Sequence, residues 1–377
     1  MFAMHPTLLV GPADWDPARL PKEEFLGRIE KLWRAADPCI AGVAVYGSPR
    51  DHAELAYLTH FTPKLEPAIA LIPRTGEPRI LVGGGANMIG AAKPLTFVET
   101  LLPLRDTGQT IARWAREQAP GGIALINGGP MRFALRREIE AALGATPTDV
   151  TGIVADAMRC MSARELMLLR EACASLQAAF AAMLEAQQAG RGMTDAVLAG
   201  EQAAWRRGAQ DVRTLFGRNG GLLPFVVPDG APADPLQVYA AVRHDGYWAE
   251  GFSVLSRRRL PRVEAAWATL SKAVALMRPD ALLREVAELL PSDPLYPSPT
   301  YPLTYRGVGR HMGLNLQESD CLYQWTLETF PPVPNPQTFA VGEVYSVRAA
   351  AGGEGFVSTM VLITEHGHEV LWRGDDA

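Results

Sequence analysis

The sequence predicts two domains that meet near residue 155, the first of them an α/β layer structure. Three observations carry this. A chain of 377 residues is long enough for two domains that each bury a core. Its first half alternates short apolar runs with helically spaced segments. Near residue 155 that pattern gives way to one long, capped helix.

Taken in order, Ala41 to Tyr46, Ala68 to Ile72, Arg79 to Val82 and Ile123 to Ile126 are apolar or β-branched runs bounded by Gly and Pro, as buried strands are. Ile111 to Gln118 and Met131 to Leu143 have helical spacing. Strands alternating with helices imply an α/β architecture. Past the boundary, Ser162 and Glu165 form a Ser-x-x-Glu capping box, and Leu166, Leu169, Cys173, Leu176 and Phe180 continue at helical intervals. Gly190 and Gly192 end that helix, and Thr194 with Asp195 is expected to cap the next, through Trp205. Two proline-dense loops follow: Pro291 to Pro302 holds five prolines in twelve residues and Pro331 to Pro336 four in six. Such loops either shape the rim of a site or connect elements on the surface.

Composition bounds the function. With 48% hydrophobic residues, 20% charged residues and a net charge of -5, the chain lacks the basic face that nucleic acid requires. The run Arg257-Arg258-Arg259 reads as a solvated strand end. Cys39, Cys160, Cys173 and Cys321 are widely spaced, with no Cys-x-x-Cys pair, which suits a reduced, cytoplasmic setting. Met1 to Asp14 has no basic region leading into an apolar stretch, so no signal peptide is expected. No run reaches the roughly 18 consecutive apolar residues of a membrane span, so no membrane association is expected either.

Four C-terminal segments carry a resemblance. They are Gly246-Tyr247-Trp248-Ala249-Glu250-Gly251, Gly309-Arg310-His311-Met312-Gly313-Leu314, Gly342-Glu343-Val344-Tyr345-Ser346-Val347-Arg348 and Met360-Val361-Leu362-Ile363-Thr364-Glu365-His366-Gly367. In order, they resemble the site segments of the creatinase, aminopeptidase P and methionine aminopeptidase family. Leu55 to Phe61, followed by Ala68 to Pro73 and Gly76-Glu77-Pro78, resembles the hairpin of that family's N-terminal domain, with His60 at its usual glycine. The resemblance implies an α+β chain: a creatinase-like α/β domain over residues 1–155 and a pita-bread domain over 156–377.

The family's peptidases bind a metal pair, and here the resemblance places other residues at the ligand positions. The two aspartates, eleven residues apart, fall on Tyr239 and Glu250. The two histidines fall on Arg310 and Gln317, and the two glutamates on Arg348 and Ser358. Hard or borderline dications need carboxylate and imidazole donors. Permanently charged guanidiniums would repel a dication, so no metal and no other cofactor is expected.

Arg310 and Arg348 would instead hold a carboxylate or phosphate by charge-assisted hydrogen bonds, with Tyr239, Ser358 and Gln317 beside them. Alternatively, each Arg pairs with Glu250, Glu318 or Glu354 and only fills the vacated volume. His311 and Glu250 are the candidate catalytic pair, His311 for proton transfer and Glu250 as base or anchor. Creatinase relies on a histidine ahead of the hairpin, and none occurs here between His60 and His244. His244 is expected to be solvated on a turn, and His366 and His368 on the surface. Metal-free family members are dimers that lend N-terminal residues to the partner's site, which implies a homodimer and a possible part for Arg50, His52 or His60. Cys321 has no base partner and is not expected to be a nucleophile.

Three functions are consistent with this pattern. The first is a metal-independent, creatinase-type enzyme acting at a C-N bond of a small anionic or zwitterionic molecule. The second is a non-catalytic pita-bread protein that binds a small acid or a partner, and the third a Xaa-Pro peptidase with a degenerate metal site.

Overall fold

A computed structural model of the chain describes residues 14–49, 51–217, 222, 231–290, 303–305 and 338–375. These fall into two compact units, one ending at Met158 and the other beginning at Arg159.

In the first unit, β1 (Gly42–Gly47), β2 (Ala68–Pro73), β3 (Arg79–Val82), β4 (Thr100–Pro103), β5 (Ile123–Ile126) and β6 (Thr148–Asp149) form one sheet in the order β4-β3-β2-β1-β5-β6. The pairs β1–β2 and β2–β3 are antiparallel, whereas β3–β4, β1–β5 and β5–β6 are parallel. Parallel neighbours need a crossover. The helix Asn87–Ala92 lies between β3 and β4, and the helix Phe133–Leu143 between β5 and β6. Ile111 and Trp114 of the helix Thr107–Gln118, with Ile139, pack on Tyr46, Ile69, Leu71, Leu81 and Leu125 to make the core. All four strands read from the sequence are present, within a residue or so at each end.

Two features differ from the sequence reading. A helix, Lys22–Ala35, precedes β1 and buries Phe25, Ile29 and Leu32 on one face. The Arg74 guanidinium holds the segment that follows it, donating to the carbonyls of Trp33, Asp37 and Ile40 at 3.1, 2.7 and 2.8 Å. Leu55 to Phe61 is not part of a hairpin: it lies in the helix Ala53–Thr59 and its cap. His60 ends that helix in the left-handed region, at φ 62°, with its ring on the Leu95 carbonyl. A β2–β3 hairpin follows.

The second unit opens on the expected capping box. Glu165 N–H donates to Ser162 Oγ, and Ser162 N–H donates to the Glu165 carboxylate at 2.8 Å. The helix Ala163–Gln188 packs against the helix Met193–Arg206. The second helix is capped by Gly192 rather than by Thr194, which is buried within its first turn. By length and composition Ala163–Gln188 is apolar enough to cross a bilayer. Its buried positions, among them Leu168, Leu169, Leu176 and Phe180, make it a core helix against the strands that follow.

Those strands form two antiparallel sheets: β7 (Asp211–Gly217), β8 (Leu236–His244) and β9 (Tyr247–Leu255) in one, and β10 (Leu303–Tyr305), β11 (Val344–Ala350), β12 (Phe356–Thr364) and β13 (Gly367–Arg373) in the other. The helix Ala163–Gln188 packs on β8, β9 and β13, and the helix Pro261–Val274 on β11 and β12. Ala266, Leu270, Phe339, Tyr345, Val347, Val357 and Val361 form the core under the latter helix.

The two sheets meet where β9 lies against β12. Side chains make this junction. Phe252 N–H donates to Ser358 Oγ at 2.7 Å, and Glu250 N–H points at Met360 Sδ at 3.3 Å. Between them Gly251 leaves room for Trp372, which packs on Phe180 at 5.2 Å between ring centroids.

A Cβ on Gly251 would lie 2.0 Å from the buried Trp372 ring. Gly251→Ala should therefore cost about 3 kcal/mol through overpacking, read by urea unfolding. Wild-type stability in this variant would mean that the junction yields freely. A second test concerns Glu201, whose carboxylate accepts a hydrogen bond from Thr214. Burial raises its pKa, opposed by that hydrogen bond and assisted by Asp211. The native state then holds this proton more tightly than the unfolded chain, so its contribution is lost as pH rises past the carboxylate range. Glu201→Gln should gain stability relative to wild type as pH rises through and above the ordinary carboxylate range, and a pH-independent difference would contradict it.

Candidate functional site

The β8–β9 register sets Tyr239 opposite Phe252 and Ala241 opposite Glu250, so Tyr239 and Glu250 are diagonal neighbours on one face. The helix Ala163–Gln188 covers the other face, where Tyr247 donates to Glu165 at 3.2 Å. Tyr239 Oη donates to the Glu250 carboxylate at 2.5 Å, and the two residues are 0% and 5% exposed. A phenol–carboxylate bond of this length is charge-assisted, and removal from water strengthens it. The Tyr239 ring packs on Phe252 at 4.8 Å, and Phe252 on Phe356 at 5.6 Å.

Ser358 and Arg348 face each other across the β12–β11 ladder. Ser358 is fully buried, and its hydroxyl is engaged with the Phe252 backbone. Arg348 is half-buried. The structure thus groups Tyr239, Glu250, Phe252 and Ser358 and sets Arg348 beside Ser358. Arg310, His311, Gln317, Glu318, Cys321, Arg50 and both proline-dense loops lie outside the described residues.

The histidines depart from expectation. His244 is buried at the end of β8, with Nε2 2.8 Å from Ser175 Oγ, because it faces the helix and not the turn. His368 is partly buried on the Met277 carbonyl at 3.0 Å, while His366 is exposed. His52 and His60 are both buried in the first unit, each with Nδ1 3.0 Å from a carbonyl of that unit.

Sequence reasoning also missed Phe252 and Met360, which brace the site, and Arg213, Arg243 and Trp248, which share the Tyr239–Glu250 face. The signal available was the period-2 alternation of β7 to β9. It places Asp211, Arg213 and Arg243 on the same side as Glu250 once the register is known.

A metal pair does not fit the described residues of the site. The four described positions supply one carboxylate, a phenol, a hydroxyl and a guanidinium, and the carboxylate is already bound by the phenol. Among the described residues, no three His, Cys, Asp or Glu side chains gather as metal ligands would.

No protein-family profile and no curated protein sequence matches the chain. Solved structures do. An X-Pro aminopeptidase from Thermotoga maritima superposes with a TM-score of 0.70 at 14% identity, over 92% of this chain and 97% of its own. Dipeptidase PepE from Mycobacterium ulcerans gives 0.68 at 17% identity over 96% and 97%. The prolidase from Pyrococcus horikoshii gives 0.65 at 13% over 93% and 98%. With these structures, the chain has the pita-bread fold that these prolidases and aminopeptidases share.

Proposed function

We propose that the second unit is a metal-free site that holds a small anionic or zwitterionic molecule through Arg348, on the frame that Xaa-Pro peptidases use for hydrolysis. The observation that carries this reading is the hydrogen bond between Tyr239 and Glu250. It occupies the one carboxylate left at the ligand positions with a donor from the same chain. Ser358 is likewise turned inward to the backbone of β9. Arg348 brings a guanidinium to the described positions, and a guanidinium binds a carboxylate or phosphate group where a dication would have polarised a peptide carbonyl.

A second reading keeps catalysis: metal-independent reaction at a C-N bond, with His311 and Glu250 as the acid–base pair. The same hydrogen bond favours it, because a phenol and a carboxylate sharing a proton in a buried setting form a proton donor–acceptor pair. It requires turnover that survives chelation and is lost in Glu250→Gln.

Two measurements test the first reading. Purified protein should contain no stoichiometric Zn, Mn, Co or Fe, and a chelator should leave its melting temperature unchanged. One or two tightly held metals per chain, lost in Glu250→Ala, would sink the proposal. Arg348→Ala should weaken small-anion binding, followed by calorimetry, at least about tenfold with the fold intact. Unchanged affinity would reduce Arg348 to filler.

A further inference from the structure

The β8–β9 hairpin turns in two residues, Asp245 and Gly246, between His244 and Tyr247, which pair as the last rung of the ladder. Both turn residues lie in the left-handed region, at φ 44° and 91°. The commonest two-residue hairpin loop needs that conformation at both positions, and Asp-Gly is a pair that accepts it. The same pair carries a chemical liability. An aspartate followed by glycine can close a five-membered ring on its own backbone, because glycine leaves the attacking nitrogen unshielded by a side chain.

Gln210 bridges this turn. It lies one residue before β7 and is fixed to the hairpin by its own N–H, which donates to the Arg243 carbonyl at 2.8 Å. Its side-chain amide then meets both reacting groups of the turn. Nε2 donates to Asp245 Oδ1 at 3.0 Å, and Oε1 accepts from the Gly246 N–H at 3.3 Å. A carboxylate only accepts and a backbone N–H only donates, so the two partners fix which way round the amide sits. His244, the residue before the turn, has its ring on Ser175.

We infer that Asp245-Gly246 is a site of spontaneous aspartate isomerisation and that the Gln210 amide is the clamp that holds the reaction off. In that reaction the Gly246 nitrogen bonds to Asp245 Cγ. One Cγ–O bond of the carboxylic acid breaks, and its hydroxyl leaves as water with the amide proton. Water then adds to the main-chain carbonyl carbon of Asp245 and breaks its bond to the nitrogen. The chain now runs through Cβ and Cγ as an isoaspartate, with no net gain or loss of atoms. Ring closure requires the nitrogen to give up its N–H and the carboxyl carbon to turn onto it, and both motions break a bond to Gln210. The product would add a backbone carbon to a loop whose length sets the β8–β9 register, and with it the pairing that brings Tyr239 to Glu250. None of this involves Arg348 or a bound anion.

The test is peptide mapping of the full chain, aged at neutral pH below its melting temperature. Trypsin releases His244 to Arg257, in which Asp245 is the one aspartate and no asparagine occurs. Its isoaspartyl form has the same mass and separates by chromatography. Gln210→Leu, with neither donor nor acceptor, should form isoaspartate at 245 at least about tenfold faster than wild type, since two hydrogen bonds are lost. Asn127-Gly128, in the first unit, should deamidate at the wild-type rate in the same digests. The Gly246 N–H should exchange with deuterium several-fold faster in the variant. Equal isomerisation at 245, or unchanged exchange, would overturn the inference. A rise at 127 as large as that at 245 would mean general loosening of the chain and would do the same. If Gln210→Leu does not fold, wild type decides: the folded chain should protect the Gly246 N–H and isomerise at 245 at least about tenfold more slowly than the chain in urea. An unprotected Gly246 amide, or equal rates, would overturn the clamp.

Discussion

The junction between β9 and β12 is the constraint on which the second unit depends. Two backbone N–H groups of β9 are met by side chains of β12 rather than by its carbonyls, through Ser358 Oγ and Met360 Sδ. The arrangement fixes Glu250 and Phe252 in depth and orientation, because their own amides are the donors. Trp372 closes the other side against Gly251, where any Cβ would overlap the ring. Tyr239 then donates its hydroxyl to the Glu250 carboxylate. A serine at this point both ends the possibility of a carboxylate ligand and ties two sheets together.

Buried charge is treated in two ways within this unit. Glu343 is fully buried and saturated: Arg159 donates to one oxygen at 2.9 and 2.5 Å, and the Ala340 N–H and Tyr345 hydroxyl donate to the other at 2.7 and 2.9 Å. Burial, with the Glu343 charge beside it, pushes the Tyr345 phenol far up, so it stays a donor. This network ties the first residue of the unit to β11 and needs nothing from outside. Arg243 is held instead by charge, with Asp211 opposite it across the ladder and Asp245 at the turn opposing the fall that burial imposes on its pKa. Satisfied hydrogen-bond networks hold a fold, and nearby opposite charges keep a buried guanidinium ionised.

The donor set decides the chemistry more than the frame does. A fold that superposes on prolidases and aminopeptidases over more than 90% of the chain places backbone and strand register, and the chemistry rests on the few side chains set upon it. Here those side chains are a phenol donating to the Glu250 carboxylate and a serine hydroxyl held by the β9 backbone.

The sequence by itself determined the α/β character of the first unit, the change of pattern near residue 155, the capped helix after Ser162 and the order of the site segments. Local periodicity and capping chemistry act over a few residues and leave direct marks, such as the apolar runs of β1, β2, β3 and β5 or the Ser162–Glu165 reciprocity. The same marks misled where a residue does an unusual job: His60 takes a left-handed cap that glycine would usually fill, and Gly192 caps a helix in place of Thr194. Tertiary structure alone decided that Glu250 is consumed by Tyr239, that His244 faces a helix and not solvent, and that Arg243 meets Trp248. Each of these depends on strand register and on which face is buried, and a one-residue change in pairing would send the same side chains to opposite sides of the sheet.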